Sequence, residues 1–171
     1  MGDRLANRKL KVDHAGEFAA INIYRAQIAV SSLFARAQTA MPEDFLAHEK
    51  RHHAVFGALM RQRGQARCRA WLLCGIGGYA PGLTTGLLGA NAVLICTFAV
   101  EEVVNRHLVE QMRYMELHDP EAGAAVASIV ADEQAHQHAA GAQMRNGPLA
   151  RCIAAIVRLS TESVIWTGMK L

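Results

Sequence analysis

The chain has 171 residues, 51% of them apolar and 19% charged, with a net charge of +3 when its eight histidines are neutral. This content supports one domain, residues 1–171, with a single sizeable core and excludes a disordered chain, while the small net charge excludes nucleic acid as a partner held by bulk electrostatics. Cysteines at 68, 74, 96 and 152 fit neither a disulfide framework nor a CxxC redox or zinc motif, so a reducing compartment is expected.

The opening, MGDRLANRKLKVDHAGE, lacks a secretory apolar run and has Ala6 where a myristoylation signal needs Ser or Thr. The expectation is a chain without a cleavable address, or the processed form of a longer precursor. From there Ala, Leu, Glu, Gln, Arg and Met recur at helical spacing and strand-like alternation is scarce, so every element is read as a helix. A first helix is expected over 10–38 and a second over 43–63, after AMPED. A shorter apolar helix over 68–79 is expected to stop at GGYAPG, residues 77–82, before a third long helix over 83–118. The last two are expected over 120–145 and 148–167. Pro42, Pro120 and Pro148 each stand where proline fits the first turn of a helix.

Stripes followed at steps of three and four show where ionisable residues interrupt the apolar face. The first helix reads Glu17, Ile21, Tyr24, Ile28 and the second Phe45, Glu49, His52, Phe56, Leu59. The third reads Leu94, Phe98, Glu101, Leu108, Met112 and the fourth Val126, Ile129, Glu133, His136, Ala140. Glu17 and Glu49 are 32 residues apart, and so are Glu101 and Glu133. Each half is therefore one helical hairpin with a lone Glu on its first helix and Glu-x-x-His on its second, in HEKRH and DEQAH. The shared spacing selects Glu101 over Glu102, and helical geometry selects His52 and His136, leaving His48, His53 and His138 as solvated residues.

Four carboxylates facing one core are too costly to bury bare. Two divalent metals carry a charge of +4 against them, and carboxylate with imidazole suits iron or manganese. One Glu from each of two helices with Glu-x-x-His from the other two is the pattern of ferritin-like dinuclear carboxylate bundles. Asp132 is either the group that orients His52 across the helix interface or a plain surface acid. Asp13 and Tyr24, near Glu17, either join a hydrogen-bond network or cap and pack. His107, off the ligand face, is either a proton carrier or an ordinary exposed histidine.

Residues 70–100 contain no charge, yet Gly77, Gly78, Pro81 and Gly82 interrupt them and their second half must deliver Glu101 to the core. A short interfacial helix plus an apolar start to the third helix is expected, a membrane-associated segment over about 70–98, with Arg61, Arg63, Arg67 and Arg69 facing anionic headgroups. A dimer interface or plain core is the alternative. The fold class is thus all-α, a ferritin-like four-helix bundle with additional apolar, membrane-interfacial helices.

KVDHAGEFAAINIYRAQ, HEKRHH, LLGANAVLICTFAVEEVVNRHL and DEQAHQHAA together resemble the demethoxyubiquinone hydroxylases of ubiquinone biosynthesis, over nearly the whole chain from Lys11 onward. The resemblance implies ligands at Glu17, Glu49, His52, Glu101, Glu133 and His136, the six that spacing selects. It implies two iron ions, O2 as co-substrate, electrons from NADH and hydroxylation of a demethoxyubiquinol ring. It further implies a peripheral protein on the cytoplasmic membrane, or on the matrix face of the mitochondrial inner membrane, in contact with membrane lipids. A lipid-binding protein of the same pathway assists some relatives, and a homo-oligomer is compatible with the pattern. Leu108, after His107, departs from relatives that carry Tyr there. The rival functions are a ferritin- or rubrerythrin-like ferroxidase or peroxidase, and a quinone-binding metalloprotein without catalysis.

Overall fold

The computed structural model describes residues 3–34 and 40–171, and every regular element among them is a helix. In chain order these are α1 (Arg4–Phe34), α2 (Ala40–Gln62), α3 (Trp71–Leu88), α4 (Ala90–His118), α5 (Pro120–Gln143) and α6 (Pro148–Lys170). α1 begins earlier than its apolar stripe because Asp3 caps it, Oδ1 accepting from the amides of Leu5 and Ala6 at 2.8 and 3.0 Å. The end of the expected first helix, 35–38, lies outside the described residues. Pro42, Pro120 and Pro148 all fall in first turns, and Asp119 caps α5 by accepting from the Ala122 amide at 3.2 Å.

The expected third long helix is corrected. GGYAPG does not end a helix; α3 runs straight through it, and the break falls later, at Gly89, whose φ of 95° suits glycine. The cause is packing. Gly78, Gly82 and Gly86 recur every fourth residue along α3 and form a face without side chains that lies against α1. A Cβ on Gly78 would stand 2.1 Å from the Ala19 carbonyl oxygen, and one on Gly82 would stand 2.4 Å from that of Ile23. Close contact with α1 offsets the backbone hydrogen bond that Pro81 removes, a loss of about 3 kcal/mol or more in a helix interior. Gln27, fully buried on α1, locks the approach by donating from Nε2 to Thr85 Oγ1 at 3.1 Å.

With its glycine face inward, α3 turns Leu72, Leu73, Ile76, Tyr79 and Leu87 outward, all exposed. α6, which touches α3, adds exposed Ile156, Leu159 and Trp166. Among the described residues no helix is long and apolar enough to cross a membrane.

α1, α2, α4 and α5 form a four-helix core. A cluster of Leu10, Phe56, Leu59, Leu108, Met115, Val126 and Ile129 fills one end. Arg63 ties that end together, pairing both guanidinium nitrogens with the Asp119 carboxylate at 2.7 and 2.8 Å and reaching Glu121 at 2.6 Å. This corrects its expected role: Arg63 is committed to that clasp, while Arg61, Arg67 and Arg69 remain exposed. All four cysteines are free, as their spacing implied.

The glycine face gives a direct prediction. Gly78→Ala, which drives a methyl into backbone, is expected to lower stability by about 2–3 kcal/mol in urea unfolding. Ala at Gly16, exposed within α1 with open space around it, is expected not to lower stability.

Candidate metal centre and the cleft above it

The four core helices bring the six expected residues together. Glu17 comes from α1, Glu49 and His52 from α2, Glu101 from α4, and Glu133 and His136 from α5, none more than 6% exposed. The Glu-x-x-His spacing puts acid and imidazole on one face of each helix, as the stripes imply. Two sets of potential ligand atoms result, each lying within 4.8 Å of one another: Glu17, Glu49, His52 and Glu133; and Glu49, Glu101, Glu133 and His136. Glu49 and Glu133 belong to both.

The inner atoms are close but unsatisfied. His52 Nδ1 lies 2.7 Å from Glu133 Oε1 and His136 Nδ1 lies 3.3 Å from Glu49 Oε1. The geometry of neither contact is that of a hydrogen bond, and all four atoms, with Glu17 Oε2, are buried without a partner. Buried polar atoms are nearly always paired, so such a concentration marks a site built for something else. Oxygen and imidazole donors at this density fit two divalent ions of the iron or manganese type.

Charge in the metal-free cluster is held unevenly. Burial, then the charge of Glu133, pushes Glu17, Glu49 and Glu101 well above the ordinary carboxylate range. Burial acts on Glu133 the same way, but the imidazoles of His136 and His52 outweigh it and hold Glu133 low. In turn burial opposes the charge on both imidazoles and the carboxylates overcome it, raising His52 and bringing His136 to about 9.

The outer nitrogen of each imidazole meets a partner. His52 Nε2 is 3.1 Å from Asp132 Oδ2, and His136 Nε2 is 3.0 Å from His48 Nδ1. His48 and Asp132 occupy equivalent places, each directly before the Glu of its motif, and each reaches across to the histidine of the other. The reading of His48 as solvated is therefore corrected; the equivalence of HEKRH and DEQAH was the signal that could have found it. His53 is corrected too. It is half-buried and stacks on His14 with ring centres 4.1 Å apart, whereas His138 is exposed as expected.

Tyr24, fully enclosed, donates to Glu101 Oε1 at 3.1 Å. Asp13 accepts from Gln111 Nε2 at 2.8 Å, and burial pushes its carboxyl up to about 7. His107 Nε2 is 2.9 Å from Glu162 Oε2 of α6, a helix that the sequence reading left without a role in the site.

Above the cluster lies a cleft with about 900 Å³ of space between its walls, counting the part that opens to solvent. Glu17, Glu49, Glu101 and Glu133 reach its floor, and its walls come from α1, α3, α4 and α6, including Val12, Ala20, Gly78, Val104, Val157 and Ile165. An apolar cleft that ends on groups able to hold metal suits a hydrophobic molecule brought up to that cluster.

Comparison with known proteins agrees with this geometry. The family model described as ubiquinone biosynthesis protein COQ7 matches residues 4–168. A relative from Rhodospirillum rubrum named 3-demethoxyubiquinol 3-hydroxylase is 31% identical over an alignment covering 98% of this chain and 79% of the relative. The mitochondrial NADPH-dependent 3-demethoxyubiquinone 3-hydroxylase of Dictyostelium discoideum is 28% identical, covering 98% of this chain and 78% of its own. That of Mus musculus, with the same name, is 33% identical over 79% of this chain and 63% of its own.

The protonation pattern fixes a pH dependence. Glu17, Glu49 and Glu101 are raised above 4.5, so what their neutral forms contribute is complete below that value and is lost as pH rises. His52 and His136 are raised above 6.5, and what they contribute is likewise lost as pH rises, for His136 through about 9. Glu133 is lowered, so its contribution is already complete above 4.5. The metal-free chain is expected to lose stability from about pH 5 to pH 9, read as a falling urea midpoint, and Fe(II) under anaerobic conditions to flatten that slope. Equal slopes with and without the metal would contradict the assignment.

Proposed function

The chain belongs to the family of ubiquinone biosynthesis protein COQ7, and on that footing we propose that it is a di-iron monooxygenase that hydroxylates the ring of a demethoxyubiquinol. The observation that carries this reading is the apolar cleft whose floor is the four carboxylates of the cluster. A ferroxidase or peroxidase needs the cluster but not an apolar cleft lined by four helices.

Glu17, Glu49, His52 and Glu133 would hold one ion, and Glu49, Glu101, Glu133 and His136 the other. Bound there, iron supplies the activation of O2 and the transfer of one of its atoms to the ring. In the overall reaction a ring C–H becomes C–OH, the second oxygen atom leaves as water, and an external donor provides two electrons. The names of the Dictyostelium discoideum and Mus musculus relatives specify NADPH, where the resemblance implied NADH.

The chain's own residues supply order and dryness. Asp132 and His48 fix the ring orientation of His52 and His136 through their outer nitrogens, which keeps the inner nitrogens turned to the metals. Tyr24 holds one oxygen of Glu101 and so directs the other. Val12, Ala20, Val104 and Val157 exclude water from the space where the ring lies. The isoprenoid tail leaves along α3 and α6, whose exposed Leu, Ile and Trp side chains rest on a lipid surface with Arg67 and Arg69 at its rim. That surface is the cytoplasmic membrane, or the mitochondrial inner membrane; the name of the Dictyostelium discoideum relative includes the word mitochondrial.

Glu49→Ala and Glu133→Ala remove a carboxylate shared by both sets and are expected to abolish iron loading and hydroxylation together. Asp132→Asn, which leaves every inner donor in place, is expected to weaken metal binding only about 10–100-fold. Iron content by metal analysis, with product mass, checks both; full iron and full turnover in Glu133→Ala would sink the assignment.

A further inference from the structure

The carboxylate and imidazole cluster is approached from two places. One is the cleft, whose walls come from α1, α3, α4 and α6 and are largely apolar. The other is the seam where α2 meets α5, two helices that give the cleft nothing but Glu49 and Glu133 of its floor. At that seam His48 and Asp132 stand at the surface, with 32% and 38% of their side chains exposed, and neither lines the cleft. Behind them His52 and His136 are buried. Two contacts span the step from solvent to core: Asp132 Oδ2 lies 3.1 Å from His52 Nε2, and His48 Nδ1 lies 3.0 Å from His136 Nε2.

A divalent cation arrives hydrated, and shedding its water among apolar side chains costs far more than exchanging that water for oxygen and nitrogen donors. The cleft is a poor route for such an ion. The seam supplies the donors. His48 Nδ1 and Asp132 Oδ2 are 3.8 Å apart, close enough for one ion at about 2.1 Å from each. Two protein donors leave the rest of the coordination to water, so the hold is weak and suits passage more than residence. We propose that His48 and Asp132 form the port through which divalent metal enters the centre, with Arg51 as its cover. This rests on the reading of the cluster as a dinuclear metal centre and deepens it.

Arg51 places a guanidinium nitrogen 3.6 Å from Asp132 Oδ2 and is itself exposed. A pair of that kind is weak, and an ion of charge +2 displaces it readily. The incoming ion uses the same two atoms that hold the ligand rings. While it sits on Asp132 Oδ2 and His48 Nδ1, His52 and His136 lose their outer partners and their rings are free to turn toward it. Once it has passed inward, Asp132 and His48 return to the rings and lock them with the inner nitrogens on the metals. The port is thus also a latch. Because it is separate from the cleft, metal enters while the cleft holds a hydrophobic ligand.

Asp132 also orients His52, so the test must separate entry from retention. The metal-free full chain is mixed with excess Co(II), and the growth of visible absorption from the bound ion gives the uptake rate; a chelator chase gives the release rate. Asp132→Asn, which removes the carboxylate charge from the port, is expected to slow uptake about tenfold or more. Arg51→Gln, which removes the cover, is expected to speed it about twofold or more. Arg106→Gln removes the same charge from the α4–α6 side, where Arg106 pairs with Glu162, and is expected to leave the rate unchanged. Unchanged uptake with faster release in Asp132→Asn would reduce that residue to orienting His52 and overturn the port. Equal acceleration by Arg51→Gln and Arg106→Gln would overturn it too, since net charge and not the seam would then set the rate. If the unaltered chain binds no Co(II), the reading of the centre falls together with the port.

Discussion

Four carboxylates share one buried core, and the cost of removing their charge from water governs the rest of the structure. Each ion left bare in such a place costs on the order of several kcal/mol. In the metal-free chain the cluster meets this cost by sharing protons: three acids are driven toward the neutral form, while Glu133 stays ionised between two imidazoles. The arrangement satisfies charge but leaves the inner oxygen and nitrogen atoms without hydrogen bonds. A pair of divalent cations relieves both deficits, which is why the donor set reads as a metal centre and not as an ordinary ion-pair network.

The same constraint explains the symmetry around the centre. Neutral imidazole ligands must keep one nitrogen free for the metal and present the other to a partner. Asp132 and His48 occupy equivalent positions in two related hairpins and meet that requirement reciprocally across the α2–α5 interface. The partners differ in charge, carboxylate for His52 and imidazole for His136, so the two halves of the site are related but electronically unequal. Around this polar floor the chain builds a cleft with largely apolar walls. α3 is drawn against α1 through Gly78, Gly82 and Gly86, and α6 closes the opposite wall, with apolar side chains of both turned outward.

Legibility in the sequence followed the physics of each feature. The Glu-x-x-His motifs and their equal spacing encode helix faces directly, so the six residues that converge could be picked from periodicity. Helix starts close to Pro42 and at Pro120 and Pro148 were legible because proline is favoured in a first turn for local reasons. Long-range packing was not legible. GGYAPG has the composition of a turn, and only the backbone of α1 lying against it makes those glycines a helix face. Gln111, Glu162 and His48 escaped notice because each acts through a residue distant in the chain, on a helix whose neighbours the periodicity alone does not name.

The central claim is that this centre inserts oxygen into a quinol ring. The most direct test is a single turnover in which iron-loaded chain is reduced anaerobically, given demethoxyubiquinol, and then exposed to isotopically heavy O2, with the product analysed by mass. The account predicts a ring carrying one heavy oxygen atom, formed only when iron is present. Consumption of the gas with the ring unchanged in mass would contradict it.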